Sequence, residues 1–271
     1  MSEKSLTQWA VGLVAVTAVA AIAAPVAPPA RSETARELLP DLVQVAPYRV
    51  EIVAAGGKSV PRFLLTFASS VENVGDGVLI IEGRRPTRAA DTMTARQIVV
   101  RADGSRRVVT PVGTLSFVRS PDHSHWHLLR FDEYELRRAL DFAVVVRDRK
   151  TGFCLGDRYP IEDAVAPAPE FALSRCGPGA PGLLRILQGI SPGWGDEYQP
   201  ELEGQSFDLT GLPAGRYVLV HRVNEDHRLV ESDYGNNAAS VLLRIRWPEG
   251  KSREPSVAVL RTCPATARCL P

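Results

Sequence analysis

From residue 48 to residue 245 the chain reads as a succession of short apolar-rich runs separated by Gly, Pro, Asn and Asp. Residues 48–53, 62–67 and 78–82 are rich in Val, Ile, Leu, Tyr and Phe, the residue types that fit a pleated surface. Residues 97–101 and 106–110 flank Asp103-Gly104, a dipeptide that favours a tight hairpin turn. Residues 127–136 alternate in part, through Leu129 and Phe131, and read as one strand. Residues 142–146, 216–223 and 238–245 read as further strands. Residues 160–181, with their Pro and Gly-Pro turns, read as a loop. Helical patterning beyond the N-terminus is confined to residues 32–38. No internal repeat is present. Many strands at short spacing predict an all-β chain: a β-sandwich of short antiparallel strands with long loops and little helix.

The N-terminus follows another pattern. Lys4 precedes an apolar run over residues 9–24, and Pro25-Val26-Ala27-Pro28-Pro29 follows it. A basic start, an apolar core and the small-x-small Ala21-Ile22-Ala23 describe an export signal, or a membrane anchor if uncleaved. The run is slightly short for a span of ~20 residues. Residues 1–33 are therefore expected to direct export, with a membrane tether as their second use and the Pro-rich stretch as linker. Residues 34–248 are expected to form one domain and residues 249–271 a tail.

Composition narrows the partners. With 45% apolar residues in 271, a sizeable core is within reach. A net charge of +1 with scattered Arg offers no basic field, so nucleic acid is not an expected partner. The four Cys are Cys154, Cys176, Cys263 and Cys269. An even number in an exported chain points to two disulfides. Of the three pairings, 154–176 with 263–269 is the simplest.

Candidate chemistry is concentrated at His123-Ser124-His125-Trp126-His127, which holds three of the five His. Alternate side chains of an extended segment share one face, and neutral imidazole suits copper(II), zinc, nickel or iron(II). Three His leave room for water or substrate, as a catalytic site requires. In a straight strand the Cα atoms of His123 and His127 would lie ~13 Å apart. The segment must therefore bend, or be a loop that enters a strand at His127, as Pro121 suggests.

The residues around the His run resemble those of the lysyl oxidase family. Asp122 to His127, then Phe131-Asp132-Glu133-Tyr134-Glu135-Leu136, is similar to the family's copper-binding segment. Lys150-Thr151-Gly152-Phe153-Cys154-Leu155-Gly156-Asp157 is similar to its Lys-x-x-Phe-Cys-Leu-x-Asp segment. Gly189-Ile190-Ser191-Pro192-Gly193, Asp196-Glu197-Tyr198 and Gln205-Ser206-Phe207-Asp208-Leu209-Thr210 follow in the family's order. Glu231-Ser232-Asp233-Tyr234-Gly235-Asn236-Asn237 resembles its C-terminal signature, and Leu64-Leu65-Thr66-Phe67 with Val71-Glu72-Asn73-Val74-Gly75 matches upstream. The resemblance implies a copper-dependent amine oxidase whose cofactor, lysine tyrosylquinone, is formed from Lys150 and Tyr198, with His123, His125 and His127 on copper. Its substrates would be a primary amine (a small amine or a protein lysine) and oxygen, and its products an aldehyde, ammonia and peroxide. From residue type alone Lys150 would be a solvated lysine and Tyr198 a rim aromatic.

The resemblance also implies calcium, held by Asp41, Leu42, Glu231, Asp233, Asn236 and Asn237. These supply oxygen donors, which suit that ion; otherwise the Asn-rich stretch is a hairpin turn. Where the family's strand after copper often carries His, this chain has Glu133. Asp132 and Glu133 are thus weak candidates for the catalytic base. His221 and His227 read as structural or exposed, and Asp196 either flanks the quinone or closes a turn. The Pro-Ala-Pro and Gly-Pro stretch between Lys150 and Tyr198 reads as an insertion on the substrate side. Two alternatives stand beside the oxidase: a non-catalytic exported β-sandwich that binds a metal or a protein, and another copper or zinc enzyme that uses only the His run.

Overall fold

A computed structural model describes residues 35–56, 61–120, 124–147 and 152–270. The expected export segment, His123 and Lys150 lie outside them. The described strands, in chain order, are β1 (Glu37–Leu38), β2 (Leu42–Gln44), β3 (Tyr48–Ala55), β4 (Arg62–Asn73), β5 (Leu79–Arg84) and β6 (Thr92–Arg101). β7 (Arg106–Arg119), β8 (Ser124–Leu128), β9 (Asp132–Arg138), β10 (Val144–Arg147), β11 (Tyr159–Pro160) and β12 (Arg185–Ile190) follow. β13 (Trp194–Tyr198), β14 (Ser206–Asp208), β15 (Gly215–Val223), β16 (Ala238–Arg246) and β17 (Ser256–Cys263) complete the set. A single 3-10 turn, Leu173–Cys176, is the only helical piece among the described residues. The chain is all-β, as its patterning predicts.

The strands form three antiparallel sheets. The first runs β12-β5-β6-β7-β8, with β1 beside β6. The second runs β10-β9-β15-β16-β17. The third is built on β4, which pairs β13 and β14 and also takes β2 and β3. All three contribute to one core that includes Leu65, Phe67, Ile81, Leu115, Trp126, Tyr134, Phe153, Leu219 and Val241. Phe67 is fully buried, with Tyr134 and Phe207 rings each 5.2 Å away.

β15 shows how pattern becomes packing. Tyr217, Leu219 and Val223 face the main core. Val218 and Val220 face the other way, against Ala139, Leu242 and Cys269. Burial on both faces explains the unbroken apolar run. The chain after residue 249 covers that second face: β17 pairs β16, and Thr266 accepts a hydrogen bond from Ser240. Disulfides join Cys154 to Cys176 and Cys263 to Cys269, the simplest of the three pairings.

Two local expectations change. Helix was expected over residues 32–38, but Glu37–Leu38 is a strand in register with Arg101 and Val100. The Glu37 carboxylate accepts from the Arg107 guanidinium at 2.6 and 2.7 Å, so long-range pairing overrides local helical preference. The single strand expected over residues 127–136 is two strands, β8 and β9. Arg130, with φ of 57°, turns the chain between them.

Candidate active site

β8 sets the first side of the site. It pairs with β7, Val118 opposite His125 and Ser116 opposite His127. His125 is therefore already in the strand, which begins at Ser124, earlier than the expected entry at His127. Alternation sends Trp126 to the opposite face, where it is fully buried beneath the Arg85 guanidinium. His125 and His127 share the other face. Their Nε2 atoms stand 2.8 Å apart, and both rings are nearly buried.

That spacing tests the fit to a metal. Two nitrogens each ~2.0 Å from one ion lie ~2.8 Å apart at right angles and ~3.3 Å apart in a tetrahedron. The pair is therefore close enough for both nitrogens to hold one ion of the kind that imidazole suits. The same distance suits one N–H···N hydrogen bond. Among the described residues no cluster of three or more His, Cys, Asp or Glu gathers around one point; the third imidazole of the motif, His123, lies outside them.

The segment after residue 151 crosses β8 and ties it to β13. Leu128 and Phe153 exchange both backbone hydrogen bonds, at 2.8 and 3.0 Å. A Cβ at Gly152 would lie 2.8 Å from the His127 Cβ, so only glycine allows this approach. Two residues on, the Cys154 carbonyl is 3.0 Å from the Tyr198 phenol oxygen. Tyr198 ends β13, opposite Ser69 of β4, with the Phe153 ring edge-on at 4.9 Å. His125, His127, Cys154, Arg158, Glu197 and Tyr198 line one cleft of about 410 Å³, with Leu173, Pro178 and Leu202 as its apolar wall. The loop after β11 thus supplies part of that wall. It is fastened by the Cys154–Cys176 disulfide and by Gly179 N–H donating to the Ser124 carbonyl. A larger apolar hollow of about 870 Å³, beside Leu140, Leu212 and Tyr217, holds none of the expected site residues.

Asp157 organises this region. Its buried carboxylate accepts from the backbone N–H of Glu170 (2.7 Å), Phe171 (3.1 Å) and Ser191 (2.7 Å), and from the Ser191 hydroxyl (2.8 Å). Asp157→Ala would strand these buried donors. We expect a loss of about 3 kcal/mol in urea unfolding; a loss below about 1 kcal/mol would show that the loop is held by other contacts.

Electrostatics single out Asp196. It is fully buried, with Oδ2 2.8 Å from the Tyr198 hydroxyl and Oδ1 3.5 Å from Arg158 Nε. Burial pushes its carboxyl up to about 7, although Arg158 pulls the other way. Burial, then the Asp196 charge, holds the Tyr198 phenol well above its usual range.

The remaining candidates fall elsewhere. Asp132 is buried and accepts from Ser69 (2.9 Å), whose hydroxyl is 3.1 Å from His221 Nδ1. His221 is fully buried, its ring 4.2 Å from Tyr134, and burial holds it well below its usual range. Glu133 is part-exposed and pairs with Arg130. His227 is exposed in a turn, 4.4 Å from the Tyr234 ring. None of the four lines the cleft.

A second constellation joins the start of the domain to the turn before β16. Leu42 N–H donates to Glu231 Oε2 (2.9 Å), and the Asn224 and Asn237 amides donate to Oε1 (2.6 Å each). The Asn236 amide donates to Asp41 (2.7 Å). The side-chain carbonyl oxygens of Asn236 and Asn237 are buried without a hydrogen-bond donor. Burial raises Glu231 to about 6. Asp233 is exposed and caps Gly235 N–H at 2.7 Å. The two orphaned amide oxygens beside two carboxylates fit an oxygen-liganded cation.

The lysyl oxidase family model matches residues 114–250, just over half of the chain. The chain belongs to the lysyl oxidase family. The match begins in β7 and takes in the His run, Lys150, Tyr198 and the Asn-rich turn, while the upstream similarities at residues 64–67 and 71–75 lie outside it. Protein-lysine 6-oxidase of Gallus gallus is 31% identical over 116 residues, 42% of this chain and 24% of that protein. Protein-lysine 6-oxidase of Sus scrofa is 30% identical over 123 residues, 45% of this chain and 44% of that protein. Lysyl oxidase homolog 1 of Homo sapiens is 30% identical over 116 residues, 42% of this chain and 18% of that protein. This lysyl oxidase family member therefore matches less than half the length of each of these relatives.

Sequence reasoning quoted Asp157 within a family segment without giving it a role, and passed over Arg158, which lines the cleft. Their signal was the Phe-Cys-Leu motif itself, which Gly156, Asp157 and Arg158 follow directly.

Proposed function

We propose that this protein is an exported copper-dependent amine oxidase that converts primary amines to aldehydes, with ammonia and peroxide as co-products. The observation that carries this is the single cleft shared by His125, His127 and Tyr198 in a lysyl oxidase family chain. His123, His125 and His127 would hold copper. Copper(II) with oxygen supplies the oxidising power to convert a tyrosine to a quinone and, through that quinone, to oxidise an amine. Lys150 and Tyr198 would be the two residues joined. The chain's own groups position the ring: Phe153 packs edge-on against Tyr198, and the Cys154 carbonyl lies within hydrogen-bond distance of its hydroxyl. Two disulfides suit an oxidising compartment. The amine, whether a small molecule or a protein lysine, would enter beside Leu173 and Leu202.

The test is peptide mapping of the copper-loaded, aerated protein. A covalent Lys150–Tyr198 peptide pair is expected, with colour on adding phenylhydrazine. Both residues unmodified after full copper loading would sink the proposal and leave the binding module and the metal centre that uses only the His run.

We further propose calcium at Asp41, the Leu42 carbonyl, Glu231, Asp233, Asn236 and Asn237. A calcium ion there would tie the segment at Asp41-Leu42 to the connection between β15 and β16. Chelation is expected to lower Tm by several degrees, calcium alone restoring it. An unchanged Tm, or an equal shift in Glu231→Gln, would exclude this site.

A further inference from the structure

Tyr198 presents a counting problem. Its phenol carries one hydrogen, yet its oxygen lies 3.0 Å from the Cys154 carbonyl and 2.8 Å from the Asp196 carboxyl. A phenol cannot donate fully to both. One arrangement satisfies both contacts: Asp196, protonated, donates to the phenol oxygen, and the phenol donates to Cys154. With Asp196 ionised, the phenol hydrogen turns to the carboxylate, where the bond is charge-assisted and stronger.

We propose that Asp196 is the proton acceptor of Tyr198, and that its ionisation moves the phenol hydrogen from the Cys154 carbonyl to its own Oδ2. In the transfer the Tyr198 O–H bond breaks and an O–H bond forms on Asp196. Negative charge passes from carboxylate to phenolate, and no electron changes hands. This rests on the proposed oxidase, in which the Tyr198 ring is oxidised and sheds that proton. Tyr198 is only 9% exposed and Asp196 is fully buried beside it, so the acceptor is at hand where bulk water has little access.

The surroundings set the pH at which this operates. Facing Asp196 are Arg158, 3.5 Å away, with the Gly156 N–H and Asp157 on the same crossing segment, and Tyr198 on its own strand. β4 presents Val71 in register, and the Ser70 hydroxyl donates to the Asp196 backbone carbonyl. Tyr134 of β9 adds to the field on Tyr198. Burial dominates and places the carboxyl near 7, so the arrangement switches close to neutrality.

The test uses copper-free protein carrying tyrosine labelled with carbon-13 at Cζ, Tyr198 being assigned by its loss in Tyr198→Phe. Its resonance should titrate with a midpoint about three pH units above that of an ordinary aspartate. The inflection should vanish in Asp196→Asn and return in Asp196→Glu, with both disulfides intact in each variant. After copper is added, Lys150–Tyr198 cross-linking should rise across the same pH interval and fall at least tenfold in Asp196→Asn. A wild-type resonance flat from pH 5 to 9, or the same inflection in Asp196→Asn, overturns the proposal even if the cross-link forms. A wild-type inflection without any cross-link overturns the oxidase and leaves the proton coupling standing. Should Asp196→Asn fail to fold, the wild-type titration alone decides.

Discussion

Replacing Tyr198 with Phe should abolish amine-dependent peroxide release while copper binding stays intact. The ring remains, so its edge-on contact with Phe153 and its place at the end of β13 persist. Only the hydroxyl goes. Without a phenol oxygen the ring cannot become an ortho-quinone, and Lys150 has no partner to join. The expected loss is at least ~10³-fold, because the hard step of this chemistry belongs to the cofactor and not to the protein groups around it. A stability change accompanies it and partly offsets itself. The variant removes a buried hydroxyl from Asp196 and Cys154, but it also relieves the site of a phenol whose partners compete for one hydrogen. The measurements are peroxide release, copper content and phenylhydrazine colour on the same preparation. Retained turnover with full copper would mean that Tyr198 is not the cofactor precursor, and the three His would then stand as another kind of copper or zinc centre.

Much of this site could be read before the fold was known, and the reason is physical. His125 and His127 sit on β8, where a spacing of two is enough to put them on one face. Strand patterning also located the β6–β7 hairpin, because Asp103-Gly104 supplies both a side-chain acceptor for Ser105 N–H and a residue at φ of 80°. What the sequence left hidden depends on crossings between distant segments. Asp196 could be a turn residue until the segment after residue 151 is laid across β8 and brings Arg158 to it. Glu82 offers the same lesson. It is a charge closing an apolar run, yet it is buried among Arg84, Arg96 and Arg185 from three strands. Those guanidiniums, working against its burial, hold it down to about 2. The helical pattern at residues 32–38 misleads for the opposite reason. Its local preference is small, and the ladder with β6 and the Glu37–Arg107 pair join residues more than sixty apart in sequence, where no local window reaches.

The second large effect expected is at His125. His125→Ala should weaken copper binding at least ~100-fold, since loss of a ligand exceeds the 10–100-fold cost of losing a group that merely supports one. The Lys150–Tyr198 cross-link should then fail to form under limiting copper. Two observations make this variant informative. The His125 and His127 Nε2 atoms stand 2.8 Å apart, so removing one leaves the other nitrogen without its nearest ring partner. Val118 opposite His125 is a strand residue whose pairing is through the backbone, so alanine keeps β8 in place. His227→Ala is the matched control. It also removes one imidazole, but from an exposed turn outside the cleft, and copper binding and cross-linking should be unchanged. Copper titration of metal-free protein, read beside peptide mapping, separates the roles. Normal cross-linking in His125→Ala would show that copper is held without it. A cross-link restored only by excess copper would show that the metal acts first in building the quinone, because cofactor already formed would persist in that variant after the metal is withdrawn. Residual amine oxidation measured after that withdrawal then states how far turnover itself needs the ion.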